Sequence, residues 1–153
     1  MTVSARRGFS LVELTVVLGI LAALFAAALP RASSLVPRLL LDRAARTLAA
    51  DLVLARTEAI ARNTRVRVIA RLEQRRYDVE YDAEGDFVAE GISRALPGGV
   101  VFDSAATTRK SGDRVSITFQ PRGHTADNAT LALAAAGANR RVVVNSAGRV
   151  RVE

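Results

Sequence analysis

Residues 9–29 form a run of 21 residues that is apolar except for one carboxylate, Glu13, and a few small or hydroxylated residues. As a helix rising about 1.5 Å per residue this run reaches roughly 31 Å, close to the hydrocarbon thickness of a bilayer. A charge inside such a segment costs at least a few kcal/mol, so Glu13 needs a partner or a task. Arg6 and Arg7 stand just ahead of the run and would hold its start on the cytoplasmic side. Read from the residues alone, the segment fits a secretory signal, with Ala26, Ala27 and Ala28 as a small-residue cleavage site, or an uncleaved anchor. Neither has a use for Glu13.

Removing the first 30 of the 153 residues leaves room for one compact domain. There are no cysteines, which excludes disulfides, thiolate nucleophiles and cysteine-bound metals. The net charge is +7, and 21 of the 22 basic residues are arginines, Lys110 being the exception. Glu73, Asp78, Glu80, Asp82, Glu84, Asp86 and Glu90 gather in one short window, so the rest of the surface is basic. That charge permits contact with nucleic acid, acidic lipid or an acidic partner without selecting among them.

Beyond Pro30 and Pro37, apolar residues recur one-sidedly at Leu41, Ala45, Leu48, Leu52, Ala55 and Ala59, the stripe of an amphipathic helix. Asp42 with Arg46, and Glu58 with Arg62, are spaced to pair at i,i+4 on its wet face. Asn63 and Thr64 end the pattern, so one long helix is expected over residues 9–63. From Arg65 the period becomes two. Val66 and Val68 alternate with arginines, and Tyr77, Val79 and Tyr81 share a face, which predicts a hairpin turning at residues 73–75. Further strands are expected at residues 100–102, 115–119, 130–134, 141–144 and 149–152, with turns at 97–99, 121–123 and 145–148. The polar stretch 104–113 reads as a mobile loop. Helix first and antiparallel sheet after is an α+β arrangement.

Catalytic chemistry finds few candidates. His124 is the only histidine and lies in a turn context. Asp82, Glu84 and Asp86 flank Gly85, but the bidentate glutamate of a calcium loop is missing and a solvated acidic turn is the expectation. No phosphate-binding glycine loop has a recognised spacing. No enzyme activity, cofactor or metal is expected.

The run Gly8-Phe9-Ser10-Leu11-Val12-Glu13-Leu14 resembles the processing site of type IV prepilins and type II secretion pseudopilins. The resemblance implies cleavage between Gly8 and Phe9 by a prepilin peptidase, N-methylation of Phe9, and retention of the apolar helix. Glu13 would neutralise the amino terminus of a neighbouring subunit during filament assembly, an answer to its cost in lipid. Pro30 matches a proline common in these helices. Residues 51–60, with Asp51-Leu52-Val53-Leu54-Ala55-Arg56-Thr57-Glu58-Ala59-Ile60, resemble a helix of the group containing the pseudopilin GspH and the pilus protein FimT. So do Ile117-Thr118-Phe119-Gln120-Pro121-Arg122-Gly123 and the later Gly148-Arg149-Val150.

The implied fold is pilin-like, a long N-terminal helix packed on an antiparallel β-sheet head. The implied organisation is a leader at 1–8, a membrane and filament-core helix at 9–30 and a periplasmic head at 31–153. The implied role is structural: a minor pseudopilin near the tip of a type II secretion pseudopilus. Its partners would be other major and minor pseudopilins and the inner-membrane assembly platform. A FimT-like role in DNA uptake is the alternative, because Gly148-Arg149-Val150-Arg151 resembles the tail of such pilins. Strand alternation would put Arg149 and Arg151 on one face, with Arg140 or Arg141 joining them across a hairpin.

Overall fold

The computed structural model describes residues 10–89, 91–126 and 128–153, without the side chains of 27–34. Gly8 and Phe9 therefore lie outside the described residues. Helix α1 runs Leu11–Ala61. It ends because Asn63 turns left-handed (φ 51°), and the N–H groups of Asn63 and Thr64 then reach back to the carbonyls of Ile60 and Ala59. The chain divides into two compact units, Met1–Val36 and Pro37–Glu153.

In the first unit the side chains of residues 10–26 are all exposed. Leu11, Val12, Val16, Val17, Leu18 and Ile20 lie among them, and together they point to every side of the helix, so the segment is apolar around its circumference. Among the described residues no helix is long and apolar enough to cross a membrane. The span expected from sequence, 9–29, begins one residue before the described chain and includes 27–29, whose side chains are not described.

The second unit contains its own core. Among the described residues ten strands follow the helix: β1 Val66–Arg71, β2 Arg76–Ala83, β3 Asp86–Val88, β4 Ser93–Ala95, β5 Val101–Phe102, β6 Lys110–Ser111, β7 Arg114–Phe119, β8 Ala129–Ala135, β9 Ala138–Val144 and β10 Val150–Val152. One sheet has the order β3-β2-β1-β7-β6, with β4 also on β2, and the other has the order β10-β9-β8-β5. The strand pairings among the described residues, β1 with β2 and β7, and β8 with β9 among them, are antiparallel.

Alternation decides what each strand buries. Val66, Val68 and Ala70 face inward opposite Tyr81, Val79 and Tyr77 on one side, and Phe119, Ile117 and Val115 on the other. From the second sheet Leu131, Leu133, Val142 and Val144 complete the cluster. The stripe Leu41, Ala45, Leu48, Leu52, Ala55 and Ala59 is buried in that same cluster, as its spacing predicts. Burial of such side chains at roughly 25 cal/mol per Å² of apolar surface is the main stabilising contribution.

Three expectations change. Strands β3, β4 and β6 carry no clear alternation in sequence; they are short and exposed or half-buried, and register with neighbours holds them. Residues 104–113, expected as a mobile loop, are bonded into the fold. The Asp103 carboxylate accepts from the Ala105 and Ala106 N–H groups, and the buried Thr107 hydroxyl accepts from the Ala132 N–H. Asp42 meets Arg140 of β9 at 2.6 Å rather than the expected Arg46, whereas Glu58 and Arg62 do pair, also at 2.6 Å. A tertiary partner across the helix–sheet seam displaces the local one.

Candidate functional site

The outer face of the first sheet sets Arg65, Arg67 and Arg71, in or just before β1, and Arg76 of β2 against carboxylates of β2. Arg65 bonds Asp82 at 2.5 Å, Arg67 bonds Glu80 at 2.5 Å, and Arg71 and Arg76 each bond Asp78 at 2.8 Å. Phe87 of β3 lies under the guanidinium groups of Arg65 and Arg67, 5.4 and 3.9 Å from ring centre to carbon. Burial alone would raise the Asp78 carboxyl, but hydrogen bonds from Arg71, Ser93 and Arg76 outweigh it and hold the pKa at about 2. Arg65 likewise lowers Asp82, whose second oxygen accepts from the Gly85 N–H. Much of the acidic window is thus neutralised in place. No group of possible metal ligands forms among the described residues, and His124 is exposed in its turn.

With those charges paired, the remaining free cations define the surface. The second sheet separates the four arginines considered for DNA. Arg140 lies half-buried on the helix-facing side, against Asp42. Arg141 of β9 and Arg151 of β10 are exposed on the opposite face, and Arg149, just before β10, is exposed as well. The backbones of Arg141 and Glu153 exchange two hydrogen bonds of 2.8 Å, which fixes this register. Arg141, Arg149 and Arg151 form no ion pair among the described residues. Glu13 is exposed in the isolated subunit, one turn into the apolar segment.

A second feature lies where sequence motifs far apart meet. The Arg56 Nε donates to the Gly123 carbonyl at 2.8 Å. Gly148 lies so close that an added Cβ would stand 2.1 Å from that carbonyl oxygen and 2.9 Å from Arg56 Nε. The Thr125 N–H donates to Ser146 O at 3.0 Å, and the Asn128 side chain accepts from Ser146 N at 2.7 Å. Helix, Pro-Arg-Gly turn and Gly-Arg-Val hairpin therefore form one hydrogen-bonded joint. Sequence reasoning named each stretch but not the joint, because nothing in linear spacing signals that Arg56 ends on a carbonyl 67 residues away.

A helix entering the chain first and lying across antiparallel sheets, with its apolar start exposed, is the pilin-like α+β fold. Residues 44–148 match the family described as Type II transport protein GspH, and residues 3–29 match the prokaryotic N-terminal methylation motif. The chain belongs to the GspH family and is a minor pseudopilin or pilin-like subunit. It is 36% identical to the pilin-like protein PilA1 of Thermus thermophilus, over 97% of this chain and 99% of that one. Two solved structures share the fold. The type IV minor pilin FimU of Pseudomonas aeruginosa has a TM-score of 0.59 at 22% identity, over 76% of this chain and 90% of that one. The minor pseudopilin EpsH of the Vibrio cholerae type 2 secretion system has a TM-score of 0.61 at 17% identity, over 74% and 95%.

Proposed function

We propose that this protein is a structural subunit of a type II secretion pseudopilus, placed near the tip and active in assembly and protein export. The observation that carries the reading is the pairing of a GspH-type head with an exposed, all-round apolar helix start that holds one carboxylate. Such a helix is stable only when lipid or neighbouring helices cover it. In this reading prepilin peptidase cuts between Gly8 and Phe9, Phe9 is methylated, and residues 9–30 anchor the precursor in the inner membrane. The head, residues 31–153, is then periplasmic, and the assembly platform draws the subunit into the filament. There Glu13 meets a neighbour's amino terminus, where the low dielectric strengthens the attraction.

A second reading is favoured by one observation. Arg141, Arg149 and Arg151 share an exposed face with no carboxylate paired to them among the described residues. That arrangement suits the phosphates of DNA during uptake by a FimT-like pilin. Deleting the gene separates the two. Loss of exported protein from the medium, with its accumulation in the periplasm, supports the secretion role. Unchanged export with loss of transformation by added DNA overturns it in favour of uptake.

A further inference from the structure

Strand β10 forms one edge of the second sheet, with β9 on its inner side. Its hydrogen-bond phase is fixed at both ends. The Asn145 N–H donates to the Arg149 carbonyl at 3.1 Å, and Arg141 and Glu153 exchange two bonds of 2.8 Å. Residues 149, 151 and 153 therefore turn their backbone groups toward β9, and Val150 and Val152 turn theirs outward. These outward groups have no backbone partner among the described residues. Side chains alternate too. Val150 and Val152 stand on the core side beside Val144 and Val142, with Val152 still 41% exposed. Arg149, Arg151 and Glu153 are exposed on the outer face. The other edges offer less: β5 and β6 have two residues each, and β3 and β4 divide one edge of the first sheet between them. An open edge of this kind is a template for another strand.

We infer that β10 pairs with β10 of a second copy, antiparallel and across a two-fold axis, so that the two four-stranded sheets become continuous. In this register Val150 of each copy lies opposite Val152 of the other, which uses the free backbone groups and covers the exposed valines. Arg149 of each copy then lies opposite Glu153 of the other, giving opposite charges on both sides of the axis. Arg151 meets its own counterpart on the axis, with about 4.5 Å between Cα atoms, and both guanidinium groups extend into water above the sheet. Sliding the strands to set Val150 on Val150 loses these matches and brings Arg149 against Arg151. The run Arg149-Val150-Arg151-Val152-Glu153 is thus its own complement in one register. The pairing belongs to the head and does not depend on which filament the subunit serves.

The chain has no cysteine, so an introduced thiol has no native competitor. The test oxidises full-length chains in cell membranes and reads disulfide-linked dimer on non-reducing gels. Arg151→Cys should give dimer. Arg141→Cys is exposed on the same face but lies three strand spacings, about 14 Å or more, from its counterpart, and should give at least tenfold less. Adding Arg149→Glu to Arg151→Cys should cut the yield at least fivefold by setting Glu against Glu, and adding Glu153→Arg to both should restore it. Arg149→Cys with Glu153→Cys, which leaves Arg151 in place, should also give dimer. Equal yields from Arg151→Cys and Arg141→Cys, a yield insensitive to Arg149→Glu, a charge reversal that fails to restore it, or no dimer while Arg151 is retained, overturns the inference.

Discussion

Arg56 of the helix and Gly123 of the turn after β7 are joined by a 2.8 Å hydrogen bond, and Gly148 closes over both. Gly123 and Gly148 have φ of +77° and +72°, a region L side chains rarely enter. Gly137 in the β8–β9 turn has a similar φ of +74° but open space around it. Gly148→Ala should therefore cost about 3 kcal/mol, from backbone strain plus overlap with the Gly123 carbonyl. Gly137→Ala should cost about 1 kcal/mol, from strain alone. Urea unfolding of the purified chain in detergent measures both. Equal losses would mean that the joint contributes no packing constraint.

A buried polar contact pins the helix to the first sheet. The Tyr77 hydroxyl donates to Asp51 at 2.5 Å, and Arg94 Nε donates to the same oxygen at 2.9 Å. Burial and the adjoining Asp51 carboxylate push the Tyr77 phenol far up, so it stays protonated as a donor at any ordinary pH. Tyr77→Phe should lose about 1–2 kcal/mol, since Asp51 keeps Arg94. Asp51→Ala should lose about 2–3 kcal/mol, because the buried Tyr77 hydroxyl is left without its acceptor while the half-exposed Arg94 turns to water. Thermal unfolding ranks the two, and the order should not invert.

Acid should weaken the head through Asp78. Its folded pKa of about 2 lies below the ordinary 3.8. A carboxyl shifted down adds stability above its unfolded value and loses it as pH falls through the folded one. The contribution is about 2 kcal/mol at neutral pH, complete above about pH 5 and lost between about pH 4 and 2. Urea midpoints across that window should fall in the wild type and fall less steeply in Asp78→Asn, which starts lower.

Maturation and assembly should separate. Gly8→Leu is expected to leave residues 1–8 attached and the precursor in the membrane. Glu13→Val should be inserted and cut normally but be absent from the sheared filament fraction. Immunoblots of membrane and filament fractions read both variants, and filament incorporation of Glu13→Val at wild-type level would remove the role assigned to the carboxylate.

For DNA, Arg149→Ala with Arg151→Ala should abolish most duplex binding at about 50 mM salt, and Arg141→Ala should weaken it further. Arg140→Ala should change it little, because that side chain serves Asp42. Gel shifts over a salt series give the answer, with the log–log salt slope falling by about one per phosphate contact removed. Wild-type failure to bind at low salt would end the uptake reading for these residues.

Local pattern carried a large part of this protein. The stripe from Leu41 to Ala59 and the alternations around Val66, Tyr77 and Ile117 specify helix and strands, because burial demands one period in each. The turns marked by Gly123 and Gly148 were legible for the same reason, since few residues accept their backbone angles. The segment around Glu13 likewise announces its family through a fixed run of neighbours in the chain. What required the folded chain is every choice between equally near alternatives. Whether Asp42 pairs with Arg46 or Arg140, and whether Arg140 or Arg141 joins Arg149 and Arg151, depends on strand register and on which sheet the helix crosses. Residues 104–113 look like free loop until Thr107 finds the edge of β8. Composition states how many charges there are; only packing states which of them are already answered, and therefore which surface is left to meet a partner.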